Sequence, residues 1–156
     1  MQMRSIVAAE KRTRALLSAL CEVCGRTDLE AVAPDEEMGA PLLLIVDRPA
    51  LLAHADAFPK VLAEYSLRAA LPLSTCAVTT YSLEEDGADY TARNLRTTPE
   101  GFTAFEIVGT GCIGRVRLQH LPAGGQSVIL QAVGAAVACG VPFADALSAL
   151  QKRCSG

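Results

Sequence analysis

The chain has 156 residues and a mass of 16.4 kDa; 51% of its residues are apolar, 20% charged and 4% aromatic, the composition of a single globular domain spanning residues 1–156. Lysine and arginine number 14 against 17 acidic residues, so the formal charge is −3, the pI is about 5.4, and there is no basic surplus for a nucleic-acid backbone. The longest apolar stretch, Val128 to Phe143, is interrupted by Gln131, Gly134, Gly140 and Pro142. It falls short of the roughly 20 residues a bilayer core needs, and Met1-Gln2-Met3-Arg4 leads into no secretory pattern, so the expected location is the cytoplasm, without a membrane partner.

In chain order, Ser5 is placed to cap a helix whose apolar positions Ile6, Ala9, Leu16, Leu17 and Leu20 recur near a 3.6 period, ending near Gly25. Arg26 to Ala40, with Pro34-Asp35-Glu36-Glu37, reads as a polar connection. Leu42-Leu43-Leu44-Ile45-Val46, bounded by Pro41 and Asp47-Arg48-Pro49, is a continuous apolar run suited to a strand covered on both faces. Helices between Ala50 and Leu71 are expected to supply that cover. Cys76-Ala77-Val78-Thr79-Thr80 forms a second buried strand, and the two make a short mixed sheet flanked by helices.

After Tyr81 the period changes to two, and strands at 89–95, 102–108 and 113–118 follow as a small three-stranded antiparallel meander. Gly109-Thr110-Gly111-Cys112-Ile113-Gly114 matches a dinucleotide fingerprint by letters only, because it joins two meander strands rather than a strand and a helix; a tight turn is expected. Gln126 or Ser127 opens an Ala-rich helix that stops at Gly140, and Pro142 starts a last helix through Leu150. The fold class is therefore α/β.

Six cysteines invite a disulfide reading, yet a chain of this length buries a core without staples, and Cys76, Cys112 and Cys139 lie in apolar segments. Cys21-Glu22-Val23-Cys24-Gly25 is one half of a zinc-ribbon pattern with no second pair, so no metal ligands are assigned; a small zinc or thiol protein using Cys21 and Cys24 is the reading to exclude by metal analysis. His54 and His120 stand at no spacing that would make a triad, and no catalytic residue is assigned.

From residue 6 to 153 the order and spacing of elements resemble the second half of the central domain of the Mur ligases, which use ATP to join amino acids to UDP-muramoyl precursors of peptidoglycan. The resemblance is carried by Leu44-Ile45-Val46-Asp47-Arg48-Pro49, Val78-Thr79-Thr80-Tyr81, Gly87 to Asn94, Gly101 to Ile107 and Val116-Arg117-Leu118. It continues through Leu121-Pro122-Ala123-Gly124, Ala135 to Val141 and Asp145-Ala146-Leu147, and looks nearest to the muramate–alanine branch.

Two departures qualify what it implies. The family's phosphate loop, G-x-x-G-K-[ST], does not occur, and the His-Asn-x-x-Asn that opens the family's Ala-rich helix is replaced by Gly125-Gln126-Ser127-Val128-Ile129-Leu130-Gln131, where Gln126 or Gln131 offers amide hydrogen bonds instead. The family's C-terminal domain is also absent from this stretch. The resemblance then implies a part of an ATP- and Mg-dependent ligase in cell-wall precursor synthesis, inactive alone and joined to a nucleotide-binding half or partner subunit. Asp47, Arg48, Tyr81 and Gln126 would be the surviving cofactor-binding rim. Asp47 equally suits the cap of a helix beginning near Pro49, and Tyr81 the role of an interfacial tyrosine with a wet hydroxyl. A noncatalytic interaction module derived from a ligase is the alternative.

Overall fold

The computed structural model describes residues 2–71 and 76–154. Its centre is one eight-stranded sheet in the order β2-β1-β3-β4-β5-β6-β7-β8. These strands are β1 (Arg4–Val7), β2 (Leu29–Val32), β3 (Ala40–Val46), β4 (Lys60–Glu64), β5 (Ala77–Ser82), β6 (Tyr90–Thr97), β7 (Thr103–Gly109) and β8 (Cys112–Leu118). Strands β1 to β6 pair in parallel, and β6 to β8 are antiparallel. The α/β class therefore holds, with the meander continuing the parallel sheet through Tyr81↔Tyr90 and Ser82↔Thr91 rather than standing apart from it.

The parallel part departs from the sequence expectation in three places. The helix expected from a Ser5 cap is two elements, β1 and then α1 (Lys11–Val23), which is capped by Glu10. Ile6 packs into the core on the helix side of the sheet and the adjacent Val7 into the opposite core, the alternation of a strand. Ser5 is buried in β1 and donates to Glu30 of β2, 2.5 Å away. The polar connection 26–40 contains β2, a four-residue edge strand too short to show a period. The expected helices between 50 and 71 are 3₁₀ segments at Pro49–Ala57 and Tyr65–Ala70, with β4 between them. In β4, Leu62 enters the helix-side core while Val61 and Ala63 enter the other, so strands 42–46 and 76–80 are separated by a strand buried on both faces.

One face of the sheet is covered by α1, α2 (Gly125–Ala138) and α3 (Phe143–Arg153). Alanine and glycine are what let α2 lie against both the sheet and α1: a Cβ at Gly134 would stand 3.1 Å from Leu62. The helix is buried along most of its length, as a helix apolar on all sides must be. It ends where Gly140 adopts φ +102° and Val141 donates back to the Ala136 carbonyl. On the opposite face Leu51, Ala55, Phe58 and Leu71 pack over Val7, Leu44, Val46, Val61 and Ala63. Gly109-Thr110-Gly111 is the expected hairpin turn, with Gly111 at φ +71°.

Candidate functional site

In parallel sheets, ligands are bound at the carboxyl ends of the strands, because the following helices begin there and aim their N–H groups at that edge. Here that edge carries Ala8 after β1, Asp47-Arg48 after β3, Glu64 at the end of β4 and Tyr81-Ser82 at the end of β5. Both α1 and α2 start on it: the Lys60 ammonium, at the first residue of β4, reaches the Ala138 carbonyl at the last turn of α2 on the other edge.

Asp47 and Arg48 form a two-point ion pair, Nε to Oδ1 and Nη2 to Oδ2, both 2.9 Å. Asp47 is therefore not a helix cap; Arg48 precedes the 3₁₀ segment and makes no side-chain cap bond. Tyr81 is buried rather than interfacial, and its hydroxyl accepts a 2.9 Å bond from the Gln131 amide nitrogen. The Gln131 oxygen in turn accepts from Thr13 of α1 at 2.5 Å, so one glutamine joins β5, α2 and α1 across the core. Burial, and then the Asp47 charge, push the Tyr81 phenol above its ordinary range, so it stays protonated. Gln131 is thereby committed internally, while Gln126 lies half-exposed in the first turn of α2.

Glu10, Arg12 and Thr13 escape sequence reasoning because the spacing there suggests a single long helix on which Arg12 faces solvent. The Glu10 carboxylate accepts from the Arg12 backbone N–H at 3.1 Å and from its guanidinium Nε at 2.8 Å. Those two bonds, with the nearby Arg48 charge, hold the Glu10 carboxyl down to about 2. The available signal is an acidic residue directly before a periodic apolar run, which is a helix-start signature. The edge is thus closed by two adjoining ion pairs, Glu10 with Arg12 and Asp47 with Arg48, above the Thr13–Gln131–Tyr81 chain.

A triphosphate needs several free N–H groups and a cation in the first strand–turn–helix. In the turn Ala8-Ala9-Glu10, the Ala8 N–H is taken by the Val32 carbonyl and the Arg12 N–H by Glu10. Arg14 ties down the Ala8 and Ala9 carbonyls at 2.7 and 2.9 Å. The Glu10 carboxylate thus caps the start of α1, and a negative charge at that position disfavours a phosphate in this turn. Elsewhere, burial keeps Cys21 and Cys139 as thiols by raising each to about 11. Among the described residues no three His, Cys, Asp or Glu side chains converge, and no helix is long and apolar enough to cross a membrane.

A largely parallel sheet with an antiparallel extension and three helices on one face defines an α/β domain, and its fold is that of the Mur ligase central domain. The UDP-N-acetylmuramate–alanine ligase of Thermotoga maritima superposes with a TM-score of 0.69 at 12% identity, over 96% of this chain and 44% of that one. The D-alanyl-D-alanyl-adding ligase of Acinetobacter baumannii gives 0.68 at 10% identity, over 97% and 46%. The MurF ligase of Thermotoga maritima, solved with ADP, gives 0.64 at 14% identity, over 94% and 48%. The chain thus spans a little under half the length of these ligases. No family model and no curated protein matches the sequence.

Proposed function

We propose that the chain serves peptidoglycan-precursor synthesis in the cytoplasm as a ligase-fold part that does not itself activate a substrate with ATP and works joined to a nucleotide-binding half or partner subunit. It corresponds on this reading to central-domain structure of the muramate–alanine type, retaining Asp47, Arg48, Tyr81 and Gln126 as the rim of a nucleotide site. The observation that carries the inactive assignment is the β1–α1 turn, where Glu10 takes the helix-start N–H and Arg14 the turn carbonyls. With Asp47 and Arg48 bonded to each other, what remains for a nucleotide is a few hydrogen bonds of about 0.5–1.5 kcal/mol each, against an association cost of at least roughly 4 kcal/mol.

Calorimetric titration of ATP-Mg into the chain is expected to show millimolar affinity or none, and incubation with ATP, a muramoyl acceptor and alanine to release no ADP. Micromolar affinity abolished by Asp47→Ala would overturn the reading. The open antiparallel face of the sheet favours a second role, docking without catalysis.

A further inference from the structure

Beyond β5 the helices cover one side of the sheet, and on the other side the residues of β6 and β8 from Arg93 onward are exposed, although Thr91 and Ala104 are buried. Register places Arg93, Glu106 and Arg115 side by side on the uncovered face of β6, β7 and β8, with Arg96, Ala104 and Arg117 in the next row. Four of the chain's 14 basic residues thus share one face with a single carboxylate, although the whole chain is acidic. Ile113 lies in the same face and is 64% exposed. Among the described residues the Arg115 side chain makes no hydrogen bond or ion pair, and Arg96 donates to the Asn94 carbonyl. Arg117 lies over the Phe102 ring at 4.8 Å and Arg93 holds only the exposed Asp86.

The charge complement of this face is in the same chain. Between β2 and β3 runs the exposed loop Pro34-Asp35-Glu36-Glu37-Met38. Glu36 is turned inward to the Ala33 N–H, whereas Asp35 and Glu37 have no partner among the described residues, and Met38 is 42% exposed beside them. Two carboxylates followed by an exposed methionine match, in charge and apolar character, two guanidinium groups preceded by an exposed isoleucine. The loop follows β2, one edge of the sheet, and the arginines sit on β6 and β8, toward the other edge. Five to seven strand spacings, roughly 24–33 Å, separate them, so the two surfaces of one molecule cannot meet.

We propose that the arginine face of β6–β8 docks the acidic 34–38 loop of a second copy of this chain, head to tail. The contact is heterologous, so it builds short open chains or a ring rather than a symmetric pair. A loop on a flat face buries little area, which makes the association weak and concentration-dependent. A central glutamate and the chain's negative charge disfavour a continuous polyanion such as RNA or an anionic membrane on this face.

The test is sedimentation velocity of the whole chain from about 10 μM to 1 mM. The mean mass is expected to rise with concentration at about 0.05 M salt and the association to weaken roughly tenfold by 0.5 M. One variant carries Arg115→Glu and Arg117→Glu, and another Asp35→Lys and Glu37→Lys. Each alone is expected to remain monomeric with an unchanged circular dichroism spectrum, and their equimolar mixture to associate, because opposite charges again face each other. A wild-type chain that stays monomeric throughout overturns the proposal, as does a mixture that stays dispersed. So does binding of RNA oligomers or phosphatidylserine vesicles that the face variant loses while wild-type self-association is absent.

Discussion

The parallel and antiparallel parts of the sheet share strands and backbone bonding, yet differ in what covers them. Between β1 and β5 the connections cross over, laying α1 on one face and the 3₁₀ segment Pro49–Ala57 on the other, so β3 and β4 bury neighbouring residues on opposite sides. Between β6 and β8 the connections are hairpins, which cannot cover a face; one side packs on α3, where a Cβ at Gly114 would meet Leu147, and the other stays in solvent. Connection type thus decides which part of one sheet is core and which is surface.

The sharpest way to break this contrast is to remove equivalent apolar bulk from each part. Leu62→Ala, at a fully buried position of β4 against Gly134, is expected to cost about 2–5 kcal/mol in urea unfolding. Ile113→Ala on the open face should change stability by less than about 0.5 kcal/mol. Equal losses would mean that the open face is covered after all.

Next in size is the buried polar chain. Gln131→Ala orphans the Tyr81 hydroxyl and removes the acceptor of Thr13, an expected loss of about 1–3 kcal/mol per stranded group. A double-mutant cycle with Tyr81→Phe should recover part of that loss, since the phenylalanine removes one of the two stranded hydroxyls and leaves only that of Thr13 without its acceptor.

Glu10→Gln is a smaller test, confined to the sealed edge. Glutamine keeps an acceptor for the Arg12 N–H and removes only the charge, so the expected cost at pH 7 is about 0.3–1 kcal/mol. The sign with pH follows from its depressed pKa: the folded carboxyl titrates at about 2 against an ordinary 4.5, so its contribution is complete above pH 4.5 and lost as pH falls toward 2. Unfolding midpoints of wild type and variant measured from pH 7 down to pH 2 should converge at the acid end; a gap that persists there would show that the charge is not what holds the turn.

The smallest effect belongs to the extension. Arg93→Ala removes a pair whose Asp86 partner is 83% exposed, and the expected change is within about 0.5 kcal/mol and erased by salt. A larger, salt-resistant loss would identify Arg93 as structural rather than as a solvated group.

Long patterned elements are legible in the amino-acid order alone. Leu42 to Val46 announces a doubly covered strand through an unbroken apolar run, and β7 and β8 announce themselves by alternation. Elements of four or five residues are not legible: β1, β2 and β4 offer too few positions for a period, and Ile6 with Ala9 mimics the spacing of the helix that follows. The site divides in the same manner. Asp47 and Arg48 stand at a recognisable strand end, but Glu10 is hidden within a spacing that reads as one helix, and Gln131 needs Thr13 and Tyr81, which are 118 and 50 residues away, to acquire its role.

What the amino-acid order determined by itself was local: which long segments are apolar, where the 109–111 turn and the helix stop at Gly140 fall, and that no glycine-rich phosphate loop occurs in these residues. Only the tertiary structure decided that six strands run parallel in one sheet with three continuing it in antiparallel fashion, β6 being common to both, and that the first turn at its carboxyl edge is filled by Glu10. Pairing partners and side-chain bonds between distant residues depend on which surfaces meet when the core closes. No window of neighbouring residues carries that information, because the burial that selects one arrangement is a property of the whole chain.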